Sequence, residues 1–356
     1  MNRVFTLSVT LAMWGLLGSD SVARAADPVR IGILGFDNYQ AVEYVQMYNN
    51  PQATGDFAGL RVTAAYPVTS PDYPKSAELT EMWKAQMLNV NKNPADPKNA
   101  IPQVEMVTSI DELLQRCDAV MIFSLDARQH LTQATAVLKA GKPLYIGRPL
   151  ATTAEDAVAI LKISEETKVP CWSCSQHRFS PGFFGMRDHA EVGRVLGCDV
   201  YGGFDVNAVE ADKSTRGLHS IETLYTIMGP GVVKVSCTST PTVESITAVW
   251  GDGRVGTFRG IKQGATKYSA TVFGDKGVST AGIYGHGIPV NGIVPTNDTY
   301  MGYGGLAIQM AKFFKGGPVP VTAAETLEIH ALFVAAEASR AQNGAVVPLQ
   351  KLTTAK

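Results

Sequence analysis

The run Gly35-Phe36-Asp37-Asn38-Tyr39-Gln40 follows an apolar stretch, Val29 to Leu34, and leads into residues 39–49 with helical apolar spacing. A turn from strand into helix is where a dinucleotide is gripped. Three glycines there allow a tight turn, close approach of backbone to pyrophosphate, and helix–strand packing. Only the first glycine stands here, with Asp37 and Gln40 in the second and third places. A carboxylate at the second place would sit beside the pyrophosphate and repel it. Tyr66-Pro67 occupies the position of the acid that binds the ribose hydroxyls. Gly35, Phe36, Asp37 and Asn38 are nevertheless the first candidate cofactor contacts. Ser124 and Asp126 join them, because they end the apolar run 119–124 on the edge where α/β sheets bind ligands. Arg178, past the last strand of this series, is a candidate for substrate or phosphate; its alternative is a pin at a domain junction. The aromatic stretches Tyr284-Gly-His286 and Tyr300 to Tyr303 offer a wall for stacking a sugar, or simple cover.

The elements that must position these residues read clearly. Strands are expected at 29–35, 60–66, 104–107, 119–124, 143–146 and 169–175. Helices are expected at 39–49, 77–88, 128–139 and 153–167, with a further one opened by the Ser109-Ile-Asp-Glu112 capping pattern. Strand and helix alternate throughout residues 28–175, which predicts a Rossmann-like, doubly wound parallel sheet with helices on both faces. The pattern then changes. Strands follow one another over 198–209 and 232–283, with turns such as Gly251-Asp-Gly253, so an α+β domain with one open, largely antiparallel sheet is expected. Helices at 218–228, 304–315 and 323–342 complete it, the last stopped by Asn343-Gly344. The resulting division is a signal segment at 1–25, a dinucleotide-binding domain at 26–176, and a substrate and oligomerisation domain at 177–356.

A series of short runs extends this reading. Asp118 to Ser124, His130, Ala140-Gly-Lys-Pro143, Gly147-Arg-Pro-Leu150 and Arg178-Phe-Ser-Pro-Gly-Phe183 come in order. Gly193-Arg-Val-Leu-Gly197, Gly217-Leu-His219, Phe314-Lys-Gly-Gly-Pro318 and Ala335 to Arg340 follow. Their succession resembles the glucose-fructose oxidoreductase, inositol dehydrogenase and MocA (Gfo/Idh/MocA) family over nearly all of the chain. The resemblance implies redox chemistry on a sugar or cyclitol with a tightly held NAD or NADP. It also implies a homo-oligomer formed through the C-terminal sheet. The family's Glu-Lys-Pro run, whose lysine polarises the reacting hydroxyl, reads Gly147-Arg148-Pro149 here, so Arg148 is the candidate cation. In the family's Asp-x-x-x-His run, Thr215 replaces the acid, as a candidate substrate contact, and His219 is retained as the candidate base. His130 matches a recurring histidine near the cofactor whose role there is mainly structural.

Composition narrows the class. The chain has 356 residues, 45% hydrophobic and 18% charged, with a net charge of −1, a globular balance without a nucleic-acid-binding footprint. Arg3, the apolar Val4 to Leu17, and Ala23-Arg24-Ala25 predict a cleavable export signal and a periplasmic destination. A retained amino-terminal anchor is the alternative. Five cysteines are present. Cys171 and Cys174 have redox or zinc spacing but fall on opposite faces of a strand, so no metal is expected. Export implies that any nicotinamide is recycled in place. Besides an oxidoreductase, a carbohydrate-binding protein that keeps the fold, or a structural partner in a periplasmic complex, fits the altered positions.

Overall fold

The computed structural model describes residues 27–89, 103–205, 217–283, 285–287 and 302–355. The expected signal segment, Thr215, Tyr284 and Tyr300 lie outside the described residues.

Six strands form the first sheet: β1 (Val29–Leu34), β2 (Leu60–Tyr66), β3 (Glu105–Met106), β4 (Ala119–Ile122), β5 (Leu144–Gly147) and β6 (Cys171–Cys174). All pair in parallel, in the order β3-β2-β1-β4-β5-β6. This is the doubly wound order, in which the strand order reverses between β1 and β4 and opens a crevice at their C-terminal ends. β4, β5 and β6 are buried along their whole length. That explains why they read as continuous apolar runs instead of alternating ones.

Helices α1 (Gln40–Tyr48), α2 (Ser76–Asn89), α3 (Ile110–Gln115), α4 (His130–Lys139) and α5 (Ala154–Thr167) join the strands. The capping signals act as expected. Ser109 Oγ accepts the Glu112 amide, and Thr153 Oγ accepts that of Asp156. Each ends a helix with one orphan donor satisfied.

The second sheet has eight strands: β7 (Val195–Gly203), β8 (Val232–Ser239), β9 (Val243–Trp250), β10 (Val255–Ile261), β11 (Ser269–Gly274), β12 (Val278–Gly282), β13 (Gly285–Gly287) and β14 (Val347–Pro348). Their order is β13-β12-β11-β7-β10-β9-β8-β14, and β7 pairs with β10 in parallel among antiparallel neighbours. The sheet is therefore mixed. Helices α6 (Leu218–Met228) and α8 (Ala323–Ala341) share its apolar core. One helix departs from the expected division. α7 (Gly302–Phe314) packs Leu306, Ala307 and Met310 against Tyr44, Val45 and Trp172 of the first sheet's layer, and Tyr48 donates to the Ala307 carbonyl at 2.8 Å. Gly305 permits this approach, since a Cβ there would lie 2.5 Å from the Phe179 carbonyl.

Candidate active site

The C-terminal ends of β5 and β6 meet the first turn of α6, and the polar residues gathered there come from three distant parts of the chain. Arg148 follows β5 directly. Gly147 before it has no room for a side chain, because a Cβ would stand 3.1 Å from the Phe123 ring and 3.2 Å from the Ile122 carbonyl. After β6 the chain makes a short 3-10 turn, Gln176–Phe179, opened by Ser175, whose Oγ accepts the His177 amide at 3.1 Å. That turn carries Gln176, His177 and Arg178 into the interior. α6 starts at Gly217, where φ is +98° and a Cβ would meet the Phe258 ring. His219 then lies in the helix's first turn.

The two histidines stack, with ring centroids 4.5 Å apart and planes at 29°. Tyr268 stands edge-on to both, at 4.5 Å from His177 and 5.7 Å from His219. Gly202 of β7 admits this group, since a Cβ there would collide with Ser220 Oγ and the Tyr268 ring. His219 Nδ1 lies 2.6 Å from Ser175 Oγ, which leaves Nε2 as the nitrogen directed to the crevice. Both rings are held neutral. Burial pushes His177 down to about 3, helped by the charge of Arg148. His219 lies well below its ordinary value, through burial first and then the neighbouring His177 and Arg148. The positive end of α6 acts in the same direction. Gln176 Oε1 and Ser220 Oγ are buried with no partner among the described residues, as expected of groups that wait for a ligand.

Of the two roles offered for Arg178, its contacts fit the junction pin. It is buried, donating from Nε to Glu222 of α6 and from Nη1 to Glu325 of α8 at 2.7 Å.

At β1 and β4 the cofactor candidates come together, but they bond to one another. Gly35 turns at φ +70°, so close to β4 that a Cβ would lie 2.0 Å from Ser124 Oγ. Phe36 is fully buried. Asn38 donates to the Phe123 carbonyl at 2.5 Å and caps α1 by accepting the Gln40 amide at 2.9 Å. The Asp37 carboxylate, expected beside the pyrophosphate, is turned inward. It accepts the Leu125 amide and the Ser76 hydroxyl, each at 2.7 Å, and is 1% exposed. Burial raises its pKa, and these two hydrogen bonds oppose the rise. Ser124 is engaged with Gln133, and its carbonyl faces His130 Nε2 at 2.9 Å. His130 Nδ1 faces the Pro149 carbonyl at 3.0 Å, so this histidine ties the ends of β4 and β5 together and lies behind the crevice.

The chain after β2 crosses this edge as a strap, residues 67–75. Ser70 donates to Asp126 Oδ2 at 2.5 Å, the Thr69 carbonyl accepts from Gln129, and Asp72 pairs with Arg128 at 2.9 Å. In a doubly wound fold the adenosine ribose belongs at the end of β2 and the pyrophosphate over the β1–α1 turn. Direct hydrogen bonds between these loops cross that position. The two halves of the crevice therefore differ: the Arg148–His219 half keeps buried polar atoms with no partner among the described residues, and the adenosine half is crossed by the strap.

His177, Ser175, Gln176 and Tyr268 escape sequence reasoning. Ser175-Gln-His-Arg178 does follow a strand at the ligand-binding edge, which is the signal that would have found it. Tyr268 carries no such signal, because only the pairing of β11 with β7 brings it near.

Comparison with known proteins bears on the fold. Residues 29–174 match the oxidoreductase family with an NAD-binding Rossmann fold, Gfo/Idh/MocA. That match covers less than half of the chain, the stretch that forms the first sheet and its helices. Over 91 residues it is 31% identical to the myo-inositol dehydrogenase Hyg17 of Streptomyces leeuwenhoekii, a stretch covering 25% of this chain and 28% of that protein. Over 75 residues it is 36% identical to the 4-carboxy-2-hydroxymuconate-6-semialdehyde dehydrogenase of a Sphingobium strain, covering 21% and 24%. These alignments span about a quarter of each curated relative. In fold it is similar to scyllo-inositol dehydrogenase of Lactobacillus casei solved with NAD(H) and scyllo-inositol. There the TM-score is 0.64 at 15% identity, over 91% of this chain and 99% of the other. GenD2 of gentamicin A biosynthesis, solved with NAD, gives 0.67 at 14% identity over 91% and 97%.

Proposed function

We propose that this protein is an oxidoreductase that interconverts a hydroxyl and a carbonyl on a sugar or cyclitol, with NAD as its cofactor. Bound NAD supplies the hydride acceptor or donor. The observation that carries the reading is the meeting of Arg148, from the end of β5, with a neutral His219, from the first turn of α6, in the half of the crevice fitted for a ligand. Arg148 holds a permanent charge that can bind the reacting oxygen and stabilise it as charge develops. His219 reaches that oxygen through Nε2 and handles its proton, a role open only to an imidazole kept neutral. Gln176 and Ser220 supply unspent polar groups for further hydroxyls. The carbohydrate-binding alternative draws no support from an oxidoreductase family match.

The reading extends to assembly and location. Val255, Phe273 and Val278 lie in one exposed row across the outer face of the second sheet, where Gly197 of β7 pairs with both Val255 and Phe273. Such a row suits pairing with a second copy of the chain. Residues 1–25 act as an export signal in this reading.

The test is to incubate the purified protein with NAD and a panel of scyllo-inositol, myo-inositol, glucose and their keto forms with NADH, following absorbance of the reduced nicotinamide. Turnover should fall by about 10²–10⁴ in His219→Gln, with the melting temperature kept. No turnover across the panel, together with no NAD binding by calorimetry, would overturn the proposal.

A further inference from the structure

Ser175 is fully buried, and its hydroxyl has two neighbours among the described residues. Its oxygen accepts the His177 amide at 3.1 Å and lies 2.6 Å from His219 Nδ1. The serine proton therefore has one acceptor within reach, and that acceptor is Nδ1. Two tautomers of His219 compete for this arrangement. If Nδ1 carries the imidazole proton, it donates to Ser175, and the serine proton is left buried without an acceptor. If Nδ1 is bare, Ser175 donates to it and every group is satisfied. Leaving a buried donor unpaired is the costly alternative.

The serine cannot swing away to escape this choice. Its amide donates to the Glu222 carboxylate, which Arg178 fixes in turn. The stacked His177 and the edge of Tyr268 hold the imidazole itself in plane. We propose that Ser175 is a positioning residue that holds His219 as the Nε2–H tautomer, so that the site presents a hydrogen-bond donor beside Arg148. The charge of Arg148, near enough to bear on His219, together with a donor at Nε2 suits a carbonyl oxygen, as in an oxyanion site, where a neutral imidazole can act as electrophile. Among the described residues Glu222 and Glu325 are bound to Arg178, which leaves neither carboxylate free to compete. Resting on the redox reading above, this sets the resident enzyme to receive the aldehyde or ketone partner. Abstraction of a hydroxyl proton first requires the proton of His219 to move from Nε2 to Nδ1.

The experiment is a two-bond proton–nitrogen NMR spectrum of the full protein labelled with ¹⁵N-histidine, without cofactor or substrate, with His219 assigned through His219→Gln. Wild type should show Nδ1 as an unprotonated acceptor and Nε2 protonated. Ser175→Ala should move His219 to a mixture of tautomers, and Ser175→Thr should restore the wild-type pattern. A protonated Nδ1 in wild type, or an unchanged pattern in Ser175→Ala, overturns the proposal. With NADH present, 2-keto-myo-inositol should bind more tightly to wild type than to Ser175→Ala, about twofold for an even mixture of tautomers. If the spectra behave as stated and no polyol or keto-polyol binds, the serine's role stands and the redox reading falls.

Discussion

Replacing Ser70 by alanine should tighten NAD binding while lowering the stability of the protein. Ser70 Oγ donates to Asp126 Oδ2 at 2.5 Å, and both side chains are buried. A hydrogen bond to a charged acceptor contributes about 1.5–3 kcal/mol, but Asp126 keeps Arg128 as a donor, so a net loss of about 1–2 kcal/mol is expected. That loss falls on the closed strap alone. When the binding-competent state is a minor fraction, the apparent Kd is the intrinsic one divided by that fraction. Opening made easier by about 1–2 kcal/mol therefore tightens NAD binding by about five- to thirtyfold. The same change lowers Tm by about 2–6 °C. Calorimetric titration with NAD and a thermal melt without it read the two effects. Opposite signs are the diagnostic outcome. Unchanged or weaker NAD binding in Ser70→Ala would refute the strap as a barrier, because it would place the cofactor under a strap that is already closed.

Three further outcomes follow from the same contacts. His177, held down at about 3, His330, held at about 4 by burial, and His219 bind protons more readily in the unfolded chain, whose histidines titrate near 6.5. Stability should thus be complete above about pH 6.5 and decline as pH falls towards those values. Urea midpoints between pH 7.5 and 5 check this, and a midpoint that rises on acidification would contradict it. Glu222→Gln weakens the buried Glu222–Arg178–Glu325 triad and should destabilise by up to about 3–5 kcal/mol, read by denaturant unfolding, since Arg178 keeps only Glu325 as a full partner. Mass spectrometry of the protein recovered from a bacterial periplasm should show a chain that begins at Ala26; a full-length mass would remove the cleavable-signal reading.

Asp37 shows how far residue type can mislead when its surroundings are unknown. A carboxylate in a phosphate-binding turn reads as a repulsive charge. Its partners, the Leu125 amide and Ser76, lie 88 and 39 residues away. Asp37→Gly would remove a charge, but it would also leave a buried amide without an acceptor, so a simple gain in cofactor affinity is not the expected result. Arg178 is a similar case, since the acids that bind it sit 44 and 147 residues further on.

What the amino-acid order determined by itself is what short range controls. Apolar periodicity, capping serines and threonines, and turn glycines set the succession of strands and helices, and that succession alone implies a doubly wound sheet followed by an open one. Gly35 and Ser124 could be chosen because such a sheet collects ligands at one edge, and Arg148 and His219 because the family resemblance implies them. Only the tertiary structure decided which of these residues face the crevice and which face each other. It turned Asp37 inward, laid the strap over the adenosine half, brought α7 back onto the first sheet, and stacked His177 on His219. Those outcomes rest on hydrogen bonds and packing between residues tens to hundreds of positions apart. Such pairings have no local pattern, because any one side chain becomes a partner only once the fold has placed the other.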